Sequence, residues 1–203
     1  MQRPKSDVGT LFKDNYWRHY DELPKDIYTI RIYCDTAQET GKHNDYTVFQ
    51  CWGRAKQGIF LIDQVRGKWE APQLESSLVE FYNKHKPTHL KPIGASRVLV
   101  EAKSSGSSLI QTIRQEYIMP IKGIPRHRDK VLRAKDVIGH LSSGNVYLPR
   151  NATWLNDYKE EFREFNVLMT HKNDDQIDPT LDAIEDLLVN ENILYTNENL
   201  DNE

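Results

Sequence analysis

Three carboxylate stations carry the chemical information in this chain. Asp35 ends the apolar run Ile27-Tyr28-Thr29-Ile30-Arg31-Ile32-Tyr33-Cys34, Glu101 ends Arg97-Val98-Leu99-Val100, and Asp174-Asp175 precede an amphipathic stretch over 177–188. Two carboxylates at strand ends and a third at a helix start can converge on divalent cations, because magnesium and manganese take hard oxygen ligands. A pair of such ions steadies both the attacking and the leaving oxygen of a displacement at phosphorus. The pattern points to metal-dependent phosphodiester cleavage, with Asp35 and Glu101 as metal ligands and catalytic residues.

In the third station Asp175 is read as the metal ligand and catalytic residue, with Asp178 as the alternative. Asp174 is read as a helix cap or a solvated residue, since Asp is also a preferred N-cap. Asp45 precedes a strand after a Gly-containing turn; it is a secondary candidate for metal contact, against simple turn chemistry. Glu101 follows three apolar residues, so its carboxylate needs a cation or hydrogen-bond donors. Lys103 could meet that need as an ion pair.

Arg126-His127-Arg128-Asp129-Lys130, with Arg133, is the dense basic cluster. A solvated face is the ordinary reading of such a run. Beside an acidic metal site, however, Arg126, Arg128, Lys130 and Arg133, together with Lys103, become candidate phosphate contacts for DNA. His171 could position a water, although loop histidines are ordinarily just exposed. Trp52, Trp69 and Trp154 are read as packing residues.

The elements that must position these groups follow from periodicity. Three strand-like runs, 27–34, 46–54 and 59–65, are separated by turn residues and form an antiparallel meander. The stretch 72–85 places Leu74, Leu78, Phe81 and Tyr82 on one helical face, with Pro72 suited to the first turn. The apolar run Val98-Leu99-Val100 suits a strand covered on both faces. It passes through Ser104-Ser105-Gly106-Ser107 into a helix carrying Leu109, Ile110 and Ile113. A strand over 119–124, a helix over 129–141 capped near Gly144, an edge strand over 145–149 and helices over 154–165 and after Pro179 complete the order. Residues 1–25 are read as a linker that docks on a neighbour, 26–190 as the domain, and 191–203 as a polar tail. The fold class is α/β: a mixed sheet with helices on both faces. In such a layout the first strand is central and the strand after the first helix lies beside it, which brings Asp35 and Glu101 together.

Composition narrows the setting. At 203 residues the chain is within reach of one α/β unit. A formal charge of −3 and pI near 6.2 argue against retention on nucleic acid by bulk charge. Two cysteines, Cys34 and Cys51, both in strand-like runs, read as buried thiols in a reducing compartment. No apolar run is long enough to span a membrane, so a soluble intracellular protein without a membrane partner is expected.

The motifs in order resemble the nuclease domain of the large terminase subunit of tailed bacteriophages, a ribonuclease H-like domain. Gln2-Arg3-Pro4, Gly9-Thr10-Leu11-Phe12-Lys13 and Trp17 resemble the segment joining packaging ATPase to nuclease. Asp35-Thr36-Ala37, Asn44-Asp45-Tyr46-Thr47-Val48 and Trp52-Gly53 resemble the first acidic strand and its hairpin partner. The run from Glu101 to Gln111 resembles the second acidic strand and its helix, Asp129-Lys130-Val131-Leu132-Arg133-Ala134 the basic helix start, and Asn173-Asp174-Asp175-Gln176-Ile177-Asp178 the closing acidic motif. Two departures stand out: Pro179 follows Asp178 where the family continues with an Asp-Ala pair, and no phosphate-binding Gly-x-x-x-x-Gly-Lys-Ser/Thr loop is present.

The resemblance implies an endonuclease that cuts concatemeric double-stranded viral DNA during packaging, with little sequence specificity and with Mg2+ or Mn2+ as two ions. It implies portal protein, small terminase subunit and packaging ATPase domain as partners, in the host cell cytoplasm. Two rival readings are a junction resolvase or ribonuclease of the same fold, and a catalytically idle module that docks on portal or ATPase.

Overall fold

The structure, a computed structural model, describes residues 10–37, 46–168, 170, 171 and 173–190. Among these, seven strands are formed: β1 (Arg18–Tyr20), β2 (Thr29–Asp35), β3 (Thr47–Ala55), β4 (Gly58–Gly67), β5 (Ala95–Glu101), β6 (Ile121–Ile124) and β7 (Val146–Pro149). Five α-helices accompany them among the described residues: α1 (Ala71–His85), α2 (Ser104–Glu116), α3 (Lys130–Ser142), α4 (Leu155–Glu164) and α5 (Ile177–Ile184), the last continuing as a π-helical turn over Glu185–Asn190.

The meander is present as expected, with β2, β3 and β4 antiparallel. Lys56 and Gln57 turn β3 into β4. Gly58 follows them because a Cβ there would lie 2.2 Å from the Asn145 carbonyl oxygen, which receives the Ile59 amide. The full order is β1-β7-β4-β3-β2-β5-β6, with β5 parallel to β2 on one side and β7 parallel to β4 on the other. The strand after the first helix thus sits beside β2.

Side chains of a strand alternate between faces, and here the two sets enter separate cores. Ile32, Cys34, Phe49, Cys51, Val98 and Val100 pack under α1 and α2, with Leu74, Leu78 and Phe81 from α1 and Leu109, Ile110 and Ile113 from α2. Tyr33, Trp52 and Leu99 pack on the other face under α3, α4 and α5. Each such large apolar side chain, fully buried, stabilises the fold by about 1.5–3 kcal/mol. Cys34 and Cys51 are free and wholly buried, as read from their strand positions.

Two segments differ from the sequence expectation. The stretch read as a linker supplies β1, and it sends Phe12 and Trp17 into the core against Phe162 and Tyr158. Its few strand residues show no usable period, so burial by single aromatics decides its place. Because β1 pairs in parallel with β7, the 145–149 strand is interior to the sheet and not its edge. The Gly144 cap does occur: Ser143 closes α3, and Gly144 adopts φ 77° while donating to the Leu141 carbonyl.

Candidate metal centre

Asp35 and Glu101 arrive at the same end of the sheet on neighbouring strands, one residue beyond the last β2–β5 pair, Cys34 with Val100. Asp35 stands opposite Val48, which stands opposite Arg66, so these three share one row and one face. Glu101 stands opposite Ile124 of β6. The face is the one covered by α3 and α5.

Small residues lock the two strand ends together. Ser105 Oγ donates to the Ala37 carbonyl at 2.7 Å and so accepts from Thr36 Oγ1 at 3.0 Å. Gly106 lets α2 close on this junction: a Cβ there would meet the Glu101 carbonyl oxygen at 2.1 Å. The small-residue turn after Glu101 is therefore a close approach of backbones rather than a flexible hinge.

Above the strand ends, acidic and basic side chains interleave. Arg126, from the loop between β6 and α3, places Nη1 2.7 Å from Asp35 Oδ1, 3.0 Å from Glu101 Oε2 and 3.9 Å from Asp178 Oδ2. Its Nη2 lies 2.6 Å from Asp182 Oδ2, and its Nε donates to the same oxygen at 3.1 Å. Lys130 Nζ bridges Asp174 Oδ2 at 2.7 Å and Asp178 Oδ2 at 2.8 Å. Arg133 joins Asp178 at 2.6 Å, Asp182 at 2.5 Å and Glu185 at 3.2 Å. Acid therefore outnumbers base: Asp35, Glu101, Asp174, Asp178, Asp182 and Glu185 share Arg126, Lys130 and Arg133, with Lys103 Nζ at 3.6 Å from Glu101 Oε1 at the rim.

Burial and ion pairing compete in the acidities. Burial pushes the Asp35 carboxyl up to about 7, against the pull of the Arg126 guanidinium. Burial also raises Asp182. At Asp178 burial acts in the same direction but Lys130 and Arg126 outweigh it, holding the group below the usual carboxylate range. Lys130 and Arg133 lie deep enough for burial to disfavour their charge, yet the surrounding carboxylates raise both.

The residues singled out in the sequence separate into two groups here. Asp35, Glu101 and Asp178 converge on one cationic nitrogen. Asp175 turns the other way: it accepts from the Tyr46 amide at 3.2 Å and from Arg66 Nη2 at 3.0 Å. Asp174 is not the cap of α5, whose N-cap is Gln176; it pairs with Lys130 and with His171 Nε2 at 3.3 Å. Asp45 lies outside the described residues. Of the candidate phosphate contacts, Arg126, Lys130 and Arg133 are engaged with the carboxylates, and Arg126 and Arg133 are only 6% and 5% exposed. Lys103 and Arg128 are both 61% exposed and make surface pairs, Lys103 Nζ with Glu101 Oε1 at 3.6 Å and Arg128 Nη2 with Asp136 Oδ2 at 2.5 Å.

Asp182 and Glu185 were not anticipated. A signal existed, since Asp174, Asp178 and Asp182 recur every four residues, as neighbours on a helix do, and Arg126, Lys130 and Arg133 recur at four and three.

Among the described residues no three His, Cys, Asp or Glu side chains already stand in a metal-binding array. The donor set nonetheless fits a hard cation. Three carboxylates from three elements meet around Arg126 Nη1, and the excess of acid there calls for positive charge. Divalent ions bind such oxygens at about 2.0–2.6 Å, so Arg126 holds Asp35 and Glu101 slightly wider than an ion would, while Asp178, at 3.9 Å, must move in to join them.

A family model described as the Terminase RNaseH-like domain matches residues 32–187. The chain belongs to this terminase family. The large terminase of a thermophilic bacteriophage superposes with a TM-score of 0.66 at 14% identity, covering 90% of this chain and 45% of that one. The large terminase nuclease of thermophilic phage G20c gives 0.59 at 12% identity, covering 86% and 96%. The human cytomegalovirus terminase nuclease domain, manganese-soaked and inhibitor-bound, gives 0.57 at 13% identity, covering 85% and 93%. These likenesses show a ribonuclease H-like fold for the terminase domain described here. It spans less than half the length of the first of these phage proteins. No curated protein sequence matches it. Among the described residues no helix is long and apolar enough to cross a membrane.

Proposed function

We propose that this domain is a divalent-metal-dependent endonuclease that cuts double-stranded DNA during viral genome packaging, with little base preference. The observation that carries the reading is the convergence of Asp35, Glu101 and Asp178 on one point at the carboxyl end of neighbouring parallel strands. In this reading these three hold Mg2+ or Mn2+, as two ions. When bound, the metal supplies Lewis acidity to the phosphate and to the attacking water.

The chain's own groups do the rest. Thr36, Ser105 and Gly106 keep the Asp35 and Glu101 backbones at fixed separation, so the ligands need little reorganisation. Lys130 and Arg133 fix the Asp178 carboxylate from the α3 side. Lys103 and Arg128 are the exposed cations best placed to meet the DNA backbone, joined by Lys68 beside the Tyr46 ring. Contacts of this kind go to phosphate, which accounts for weak base preference. The packaging ATPase domain, portal protein and small terminase subunit are the partners this reading entails, in the host cytoplasm.

Purified protein is expected to nick and linearise plasmid only with a divalent ion, with manganese at least as effective as magnesium. Cleavage that persists in excess chelator, or fails with every ion at high protein concentration, would remove the metal-nuclease reading. Parallel digests of branched DNA and of RNA–DNA hybrid separate the resolvase and ribonuclease outcomes. For DNA contact, Lys103→Glu with Arg128→Glu should flatten the slope of log affinity against log salt by about 1.8, since each lost phosphate contact removes about 0.9. An unchanged slope in filter binding over a salt series would place the DNA track elsewhere.

A further inference from the structure

The Arg126 guanidinium makes two separate engagements. One edge, Nε and Nη2, grips Asp182 Oδ2 at 3.1 and 2.6 Å. The remaining nitrogen, Nη1, alone reaches Asp35 and Glu101, at 2.7 and 3.0 Å. Asp182 is itself buried, and its other oxygen is held by Arg133 at 2.5 Å. The grip is therefore anchored from behind, while the Nη1 contacts are made at the mouth of the acid cluster.

We propose that Arg126 is a positioning residue for the metal centre: with no ion bound it holds the Asp35–Glu101 pair through Nη1, and it yields that point to a divalent ion while staying on Asp182. The inference rests on the metal-nuclease reading above. Its physical basis is exclusion. A guanidinium nitrogen at hydrogen-bond distance from Asp35 and Glu101, with Asp178 close behind, occupies the position an ion ligated by all three must take. A guanidinium and a divalent ion at so short a spacing also repel strongly in a site of reduced dielectric. In the ion-free state the arginine offsets repulsion between two half-buried carboxylates, which keeps them together and close to ligand spacing.

Removing the guanidinium should thus separate two quantities that a merely structural residue would lower together. Arg126→Gln is expected to bind Mn2+ at least about tenfold more tightly by calorimetry, because the competing cation is gone, and to melt at lower temperature in chelator. Arg126→Lys, which lacks the fork needed to span Asp182 and the carboxylate pair at once, should fall between the two. Unchanged or weaker Mn2+ binding by a folded Arg126→Gln, alongside saturable wild-type binding that Asp35→Asn abolishes, overturns the inference and leaves the metal-nuclease reading intact. Absence of saturable wild-type binding overturns both. Should Arg126→Gln not fold, nitrogen-15 arginine spectra of the wild type decide. Saturation with Mg2+ should expose the Nη1 protons to exchange while the Nε proton stays protected by Asp182. A spectrum that Mg2+ leaves unchanged overturns the inference.

Discussion

Asp35→Asn and Glu101→Gln should each abolish DNA cleavage while leaving the domain folded. Both replacements keep the shape of the side chain and remove the charge that would hold an ion. Even partners of a ligand, one step removed, typically cost about 10–100-fold in affinity or activity when lost, so loss of a ligand should exceed about 100-fold. The fold should survive because neither carboxylate carries the Arg126 charge alone; Asp182 keeps its two-nitrogen grip. Circular dichroism and a plasmid assay with manganese read the two properties separately. A correctly folded variant that cuts at a rate near wild type would take that residue out of the metal centre.

The second large effect should divide Asp178 from Asp175. Asp178→Asn is expected to lose cleavage by about 100-fold or more on the same grounds, whereas Asp175→Asn should stay within about tenfold. Asp178 points into the cluster between Lys130 and Arg133, while Asp175 is spent on the Tyr46 amide and Arg66. The Tyr46 ring also carries Arg66 at 4.0 Å, so Asp175 helps to set the start of β3 beside the site. The reverse result, activity in Asp178→Asn and none in Asp175→Asn, would move the third ligand to Asp175. Melting curves for both variants guard against loss of fold, since Asp178 compensates three basic groups, Lys130, Arg133 and, at 3.9 Å, Arg126.

How far the chain could be read unaided depended on the range over which its signals act. The meander, the helix read over 72–85 and the strand ending in Glu101 have strong local signals, an apolar period in the first two and a continuous apolar run in the last, and the structure has each of them. Neighbourhood of Asp35 and Glu101 followed from topology, because a strand after the first helix returns beside the first strand. What escaped was set by partners distant in sequence. The direction of Asp175 against Asp178 depends on how α5 is rotated over the sheet, and no property of the acidic motif alone specifies that rotation. Arg126, Lys130 and Arg133 looked like a surface track for DNA; only the packing of α3 against α5 reveals that a matching row of carboxylates takes them up. The opening segment was opaque for another reason: Phe12 and Trp17 act as single buried anchors, without a repeat to announce them.

The rotation of α5 is fixed by contacts shielded from solvent. Gln176 donates its backbone amide to Glu161 Oε1 at 2.6 Å and its side-chain Nε2 to Glu161 Oε2 at 2.7 Å, its Oε1 accepts from Gln64 Nε2 at 2.6 Å, and Gln50 Nε2 donates to the Gln176 carbonyl at 3.1 Å. Thr180, one turn on, closes the set onto Gln50 and Tyr158. All of these side chains are buried, beyond the reach of mobile ions that weaken exposed charge pairs. The clasp stands two residues on either side of Asp178. Concentrated electrolyte should therefore strip DNA from Lys103 and Arg128 long before it turns the blade that Asp178 rides on, and a domain washed free of its substrate in brine should return to dilute buffer ready to cut.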